Sequence, residues 1–183
     1  DHTMHLADVE LDGAVVADDR RLAGDPSGAG LAHALDEALA GLAVTMVGAC
    51  QRALDLALDY VKGREQFGVP VGSFQAVKHK AVDMHVAIER ARALCYFAAL
   101  TITEGDDRRS LAASMAKAAA GDAQHLVFRH AIQLFGGIGY TWENDVHLYL
   151  RRAKAGELLL GGAAQHRALV GRQVMDGSRA AGS

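Results

Sequence analysis

Three long stretches, in each of which apolar residues recur at every third or fourth position, constrain the fold of this chain most. The first runs from about residue 31 to 62 and carries a stripe of Leu42, Met46, Ala49, Ala53, Leu56 and Tyr60. Intervals of three and four residues return to the same face of an α-helix. The stretch therefore predicts one long helix with a continuous apolar face.

The same pattern appears twice more, separated by glycine-rich breaks. "GREQFGVPVGS" ends the first helix, and Ser73 is a candidate N-cap for a second helix that reaches about residue 103. "EGDD" ends that helix, and a third is predicted from about 108 to 135, before the second glycine break "GGIGYT". Shorter helices follow at about 144–159 and 163–175. Helices joined by short loops predict an all-α fold, an antiparallel helical bundle.

The first residues have a different pattern. "MHLADVEL" alternates apolar and polar residues, "DG" marks a turn, and "AVV" predicts a second short strand. Two short strands are not stable alone. We therefore interpret residues 1–24 as the trailing strands of a β-domain, and residues 25–183 as a helical bundle domain that begins in the linker "GDPSGAG".

Composition narrows the possible partners and the compartment. Half of the 183 residues are hydrophobic but only 5% are aromatic, which is typical of closely packed aliphatic helices. The net charge of −3 and the lack of a basic stretch argue against nucleic acid. No apolar run approaches the roughly 20 residues of a membrane span, and no signal peptide is recognisable. Cys50 and Cys95 are separate and lie in helical patterns, so we expect core residues in a reducing cytoplasm.

Several common kinds of site are not expected. The Glu-x-x-His pairs of di-iron bundles do not occur, and His125 and His130 are five residues apart, about 140° around a helix. No G-x-S-x-G elbow is present. "GGIGY" follows a predicted helix instead of a strand, so it is not a dinucleotide fingerprint. No metal site is predicted.

Two glycine-flanked stretches carry candidate binding groups. In "GREQFG", the Arg64 guanidinium suits a pyrophosphate or carboxylate, and Phe67 could stack on a planar ring. In "HAIQLFGGIGYTWE", Gln133 offers a donor and an acceptor, while Gly136 and Gly137 let a backbone approach a ligand. Each stretch also has a plainer interpretation as a helix end, with an anchoring side chain or a tight turn.

Taken in order, these motifs carry a resemblance to a known family. An R-x-Q-F-G loop, "FQAVKHKAVDM", the break "QLFGGIGY" and "LYLRRAK" follow one another along the chain. The chain resembles the C-terminal helical domain of the acyl-CoA dehydrogenases over almost its whole length. Its opening residues resemble the end of the family's middle β-domain, and the preceding parts of that architecture lie outside this sequence.

The resemblance implies a chemistry and a cofactor. Family members oxidise an acyl-CoA thioester: a carboxylate takes the α-proton and a hydride passes to N5 of FAD. They form tetramers in which each FAD lies across a dimer interface, and electron-transfer flavoprotein or a similar protein accepts the electrons. The residues that would contact FAD held mainly by the neighbouring subunit are Arg64, Gln66, Phe67, Gln75, Gln133, Gly136 and Gly137.

The catalytic base is the exception. In much of the family it is a Glu in an E-G-T sequence, seven positions before an Arg. That Arg matches Arg167, and the family's preceding "RAK" matches residues 152–154, so both anchors place the base at Leu160. The expected E-G-T reads Leu160, Gly161 and Gly162. A leucine cannot accept a proton, and the flavin-contacting Thr and Gln that usually follow are also absent.

Other branches of the family carry the Glu on the first long helix. The matching position is Ala38, beside Leu39 where a substrate-facing Arg is expected. Glu37 is one residue away, which is about 100° around a helix, and Glu157 lies one turn before Leu160. Either carboxylate is a candidate for a displaced base, and an ordinary role on the helix surface is the alternative.

Three hypotheses follow. The favoured one is a subunit of a heteromeric acyl-CoA dehydrogenase that lacks its own base and completes the FAD site of a homologous partner. The resemblance allows for this, since the family contains such mixed tetramers, notably for bulky steroid side-chain thioesters. The second is a homomeric dehydrogenase with a displaced base at Glu157 or Glu37. The third is a non-enzymatic helical scaffold.

Overall fold

A computed structural model describes residues 7–20 and 28–181, with side chains up to residue 176. Five α-helices make up most of it. Their bounds are α1 Ala29–Gly63, α2 Gln75–Thr103, α3 Arg109–Phe135, α4 Val146–Leu158 and α5 Ala163–Ala181. Two strands, β1 Glu65–Gln66 and β2 Val69–Pro70, form an antiparallel hairpin, and 3-10 turns occupy Asp18–Arg20, Val71–Ser73 and Gly136–Tyr140.

The predicted all-α bundle is confirmed, and its helix bounds agree with the pattern within a few residues at most ends. One local prediction is wrong, because Ser73 does not cap α2. It lies in the 3-10 turn, and the carbonyl of Phe74 accepts the N–H of Lys78 at 3.1 Å instead. A Cβ at Gly72 would stand 3.0 Å from the Val61 carbonyl oxygen. The turn therefore packs against the end of α1, and α2 begins two residues beyond Ser73.

The predicted N-terminal strands do not form within residues 7–20, where only the 3-10 turn is regular. The first three residues of "MHLADVEL", and residues 21–27 of the linker region, lie outside the described part of the chain. Val9, Leu11, Val15 and Val16 are between 68% and 95% exposed. Alternating residues form a strand only against a neighbouring strand, and the described residues offer this segment none. The two observed strands are instead those of the loop after α1.

Helix α3 is the centre of the bundle and packs against each of the other four helices. Its inward positions are mostly alanines, among them Ala112, Ala113, Ala116, Ala120 and Ala131, each with no exposed surface. Small side chains let helix axes come close together, which is how a chain poor in aromatic residues makes a dense core. Gly156 of α4 shows the same closeness, since a Cβ there would lie 2.9 Å from Cγ of Met46 on α1.

Both cysteines lie in this core as free thiols. Burial raises the pKa of Cys50 to about 12 and that of Cys95 to about 11, the latter slightly offset by Arg92. Thiols with such pKa values stay protonated near neutral pH, and a protonated thiol is a poor nucleophile. The interpretation of both residues as core residues agrees with the structure.

Helix α1 is relevant to the prediction that the chain contains no membrane span. Over Ala29–Gly63 it is long and apolar enough to cross a bilayer by length and composition, a test that core helices of soluble proteins also meet. Here it packs against α2, α3 and α4. In this structure α1 is one helix of the bundle, and 28% of its most apolar stretch is buried.

Candidate functional site

The carboxyl ends of α1 and α3 lie side by side. α2 runs back between them in sequence, so α1 and α3 point the same way and finish at the same end of the bundle. The rings of Tyr60 and Phe135, each near its helix end, are 4.9 Å apart between centroids. The fold thereby brings together the two glycine-rich breaks, although Arg64 and Gly136 are 72 residues apart in the chain.

The first break is a closed hairpin loop. The Arg64 N–H donates to the Tyr60 carbonyl at 2.9 Å, and the Arg64 carbonyl accepts from Val71 at 2.7 Å. Phe67 and Gly68 make the turn between the strands with positive φ values of 54° and 76°. The side chain of Phe67 is 93% exposed. Its ring centroid lies 6.3 Å from that of Phe74, and the two rings are arranged edge to face. The hairpin therefore holds an aromatic side chain out into solvent.

The second break ends α3. Gly136 has a φ of 63°, in the left-handed region that favours glycine, and its N–H donates to the carbonyl of Ile132. A Cβ placed at Gly136 or at Gly137 would meet no other atom within 4 Å. Open backbone with no side chain is accessible to a ligand at close range. The 3-10 turn that follows sends the chain on toward α4.

A cleft of about 450 Å³ lies between the two breaks. It is lined by Tyr60, Arg64, Gln66, Val71, Leu134, Phe135, Gly136, Gly137 and Ile138. Four of the seven residues predicted to contact FAD therefore share one cleft. The other three are exposed but are not among the cleft residues: Phe67, Gln75 and Gln133.

The groups in this cleft fit a dinucleotide. Within the described residues the Arg64 guanidinium makes no hydrogen bond or ion pair, so its donors are available for phosphate oxygens. The side chain of Gln66 donates to the Glu65 carbonyl at 2.7 Å, which leaves its own oxygen as an acceptor. If FAD is bound, Arg64 would face its pyrophosphate and the Gly136–Gly137 backbone would face the adenosine portion.

The expected base position lies at the bend between α4 and α5. Leu160 is half-exposed, with a positive φ of 54°, and Gly161 follows at 97°. Nε2 of the His166 ring lies 2.9 Å from the Leu160 carbonyl oxygen. The side chain at this position has no group that can accept a proton.

Of the two alternative carboxylates, Glu157 has the more defined surroundings. Lys154 donates to it at 2.5 Å, and it also accepts the backbone N–H of Ala163, the first residue of α5. These hydrogen bonds, with Lys154 the larger cause, lower the pKa of Glu157 against the opposing effect of burial. A carboxylate that stays ionised and caps a helix is suited to a structural role.

Glu37 lies on the open side of α1. Its side chain is 59% exposed and stands 3.2 Å from Nε2 of His33, one turn earlier. Gly156, just before the α4–α5 bend, packs against Met46, nine residues further along α1. Nine residues of helix span about 13 Å, so Glu37 is well separated from that contact. A catalytic role for Glu37 or Glu157 stays a prediction.

The cleft and the base position are far apart within one chain. Lys117 of α3 contacts the α4–α5 bend through the carbonyls of Glu157 and Gly161, whereas Phe135 lines the cleft. Lys117 and Phe135 are 18 residues apart on α3, which corresponds to about 27 Å of helix. The two features therefore belong to different sites.

The buried polar residues around the bend were not predicted from the sequence. Lys117 has no exposed surface and His166 is 2% exposed. A signal was present, since Lys117 interrupts the otherwise small and apolar run "AASMAKAAAG". A lysine inside such a run predicts a paired or hydrogen-bonded buried cation.

The histidines of α3 do not form part of a metal-binding cluster. His125 is exposed and His130 is half-buried. Across residues 7–20 and 28–181, no three histidine, cysteine or carboxylate side chains are arranged to hold a metal ion.

Comparison with known proteins identifies the domain. Residues 30–175 match the family model described as "Acyl-CoA dehydrogenase, C-terminal domain". A curated relative, the acyl-CoA dehydrogenase IpdE2 of Mycolicibacterium smegmatis, is 40% identical over 147 residues, which cover 78% of this chain and 45% of the relative. The chain thus spans less than half of that relative's length.

Two solved structures share both fold and sequence with the chain. The ChsE4–ChsE5 complex from Mycobacterium tuberculosis gives a TM-score of 0.82 at 30% identity, covering 91% of this chain and 44% of that one. A variant of the Tcur3481–Tcur3483 steroid ACAD gives 0.79 at 33% identity, covering 82% and 42%. By sequence and by fold, the chain belongs to the acyl-CoA dehydrogenase family, and residues 30–175 correspond to the family's C-terminal helical domain.

Proposed function

We propose that this chain is a subunit of an FAD-dependent acyl-CoA dehydrogenase, and that it completes the FAD site of a homologous partner subunit without supplying a base of its own. The observation that carries the proposal is the contrast between its two sites. The cleft retains Arg64, Gln66 and the two glycines, whereas the base position, at the other end of α3, holds a leucine.

The relatives support a mixed assembly. ChsE4–ChsE5 is a complex of two differently named subunits, and Tcur3481–Tcur3483 is likewise named as a pair. The second is a steroid ACAD, which makes a steroid side-chain thioester the more specific substrate proposal. A tetramer in the cytoplasm, with an electron-transfer flavoprotein as acceptor, completes the proposal.

In such an assembly each group of the cleft has a defined task. The Arg64 fork would bind two pyrophosphate oxygens and offset their charge. Gly136 and Gly137 would allow close backbone contact where a larger residue would hold the ligand away. Phe67, 93% exposed on a closed hairpin, would pack against the cofactor or the partner and exclude water. The partner would supply the base and the remaining FAD contacts.

The test is flavin retention in a co-purified complex of this chain with a homologous acyl-CoA dehydrogenase subunit. Arg64→Ala is expected to lower bound flavin per complex by about tenfold or more, as expected for losing a charged bidentate contact. Arg172→Ala, which removes an exposed arginine of α5, is the control with the same charge change. Full turnover and stoichiometric FAD in this chain alone would refute the proposal.

Glu157→Gln and Glu37→Gln in the same complex test whether this chain supplies a base. We expect turnover to stay within about twofold for both variants, because neither carboxylate is assigned to proton transfer. A loss of about a hundredfold or more in either variant would favour the displaced-base hypothesis.

A further inference from the structure

Lys117 is a buried cation that the proposed cofactor cleft does not use. It lies on α3 with no exposed surface, and its ammonium donates to the carbonyls of Glu157 at 3.0 Å and Gly161 at 2.5 Å. Glu157 is in the last turn of α4, where carbonyls have no partner within the helix, and Gly161 follows the bend. One side chain of α3 therefore joins both sides of the α4–α5 bend.

A second buried side chain holds the residue between those two contacts. Nε2 of His166, on α5, lies 2.9 Å from the carbonyl oxygen of Leu160. Because a carbonyl only accepts, this nitrogen carries a proton. Burial lowers the pKa of His166 and so favours the neutral ring, in which Nδ1 is the unprotonated nitrogen. Among the described residues Nδ1 has no hydrogen-bond partner. Lys117 and His166 together occupy the carbonyls of residues 157, 160 and 161.

The backbone of the bend is tightly enclosed. A Cβ at Gly121 of α3 would stand 2.8 Å from Cβ of Ala163. A Cβ at Gly162 would stand 3.1 Å from the Glu157 carboxylate. The chain between α4 and α5 therefore has little room to move against α3.

The energetic balance suggests that Lys117 does more than fill space. Burying an ammonium group costs several kcal/mol unless it is well compensated, and an apolar side chain of similar length would fill the volume at lower cost. Here the compensation comes from the two carbonyls and from the nearby Glu157 carboxylate, which itself binds Lys154. What the ammonium provides, and an apolar side chain cannot, is the geometry of the bend.

We propose that Lys117 and His166 are positioning residues that hold the backbone of Leu160 in its left-handed conformation, and so fix where the side chain at position 160 is presented. The functional meaning rests on the proposed function, in which position 160 stands where the family's base is expected. The geometry is then set by residues 117 and 166. The residue at position 160 can then be substituted without a change in the backbone of the bend. A leucine at the expected base position is compatible with this.

The first test uses Lys117→Met, whose unbranched apolar side chain reaches about as far as Cε of the lysine and lacks the ammonium. The hydrogen-bonded amides at the bend are those of Leu159, Ala163 and His166. Their hydrogen exchange is expected to become about tenfold faster or more, with the amides around Ile88 on α2 unchanged. The ¹⁵N spectrum of His166 is expected to change from one tautomer, with the proton on Nε2, to an averaged signal. Thr101→Val, which removes a buried hydrogen bond to Ala98 on α2, is the control that weakens the bundle without touching the bend.

The second test exchanges the presented residue itself. In Leu160→Ala and Leu160→Glu, exchange at the bend is expected to stay within about threefold of the parent, and His166 to keep its tautomer. Unchanged exchange in Lys117→Met, or loosening by Leu160→Ala as large as that by Lys117→Met, would overturn the proposal. Should Lys117→Met not fold, His166→Phe makes the same test from α5. No flavin is measured, so the outcome is independent of the Arg64 experiment.

Discussion

Leu160 and Phe67 are the two non-glycine residues with a positive φ among the described residues, each at 54°. A side chain with a Cβ is disfavoured there, and such strain collects where the surrounding structure over-determines the backbone. Phe67 is in the hairpin beside the cleft, and Leu160 is at the expected base position. Phe67 was located by its loop motif and Leu160 by residue counting. The backbone conformation at Leu160 accompanies contacts of the bend with α3 and α5 that local sequence does not encode.

Leu160→Ile tests the strain at the bend. Isoleucine has the same volume and apolar character, but a β-branched side chain at positive φ clashes with its own backbone. We expect a loss of about 1–2 kcal/mol in the free energy of unfolding, measured by urea denaturation. Leu158→Ile, an exposed residue at the end of α4, should change it by less than about 0.5 kcal/mol. Equal effects of the two variants would show that Leu160 is not strained.

The two core thiols lead to a pH prediction. The pKa is raised to about 12 for Cys50 and about 11 for Cys95, above the unfolded value of about 9. The folded state therefore holds protons that the unfolded state has released, and stability is expected to fall as the pH rises above 9. Replacing both by alanine should flatten this part of the curve of unfolding free energy against pH. An unchanged slope in that variant would contradict the assignment.

At the scale of elements, the helices of the bundle follow from apolar periodicity and the glycine breaks. The strands predicted near the N-terminus do not form within residues 7–20, because a strand depends on a partner strand that the described residues do not offer. The packing partners of helix α3 could not be predicted from its sequence pattern either. Its buried residues surround the helix axis, so periodicity indicates that it is a helix but not which face contacts which neighbour.

Close contact between α3 and α5 gives an element-scale prediction. In Gly121→Ala the new methyl would lie 2.8 Å from Cβ of Ala163, which cannot move without its backbone. We expect a loss of about 1–3 kcal/mol in stability despite the better helix propensity of alanine. Gly48→Ala on α1 adds the same methyl in open space and should stabilise by about 0.5–1 kcal/mol. Thermal unfolding measures the stability of both variants, and a Gly121→Ala variant more stable than the parent would contradict this packing.

For the whole molecule, the arrangement of the helices explains which site residues could be predicted together. α1 and α3 end at the same side of the bundle, so Arg64 and Gly136 meet although they are distant in sequence. Gln75 and Gln133 are exposed and do not line the cleft. Lys117 escaped prediction because its role depends on contacts 40 and 44 residues away, which are created only when α4 folds back on α3.

Trp142, the single tryptophan of the chain, gives a probe of assembly at the cleft end. It is 76% exposed, with the Arg151 guanidinium 5.0 Å from its ring centre, and Tyr140 and Phe67 are exposed at 80% and 93%. Exposed aromatic side chains of this kind are enriched at protein interfaces. On mixing with a homologous subunit that lacks tryptophan, by substitution to phenylalanine, the emission of Trp142 should shift to shorter wavelength and become less accessible to acrylamide.

Phe67→Ala should weaken this change by lowering the affinity of the two subunits by about tenfold or more, since buried aromatic anchors dominate binding energy at interfaces. Val174→Ala, an exposed apolar residue of α5, is the matched control and should leave the affinity within about twofold. The affinity is read from the fluorescence titration, and bound flavin is measured on the same samples. If flavin is retained in the complex while Trp142 stays as accessible as in the free chain, the cofactor cleft lies inside the interface but the aromatic end does not.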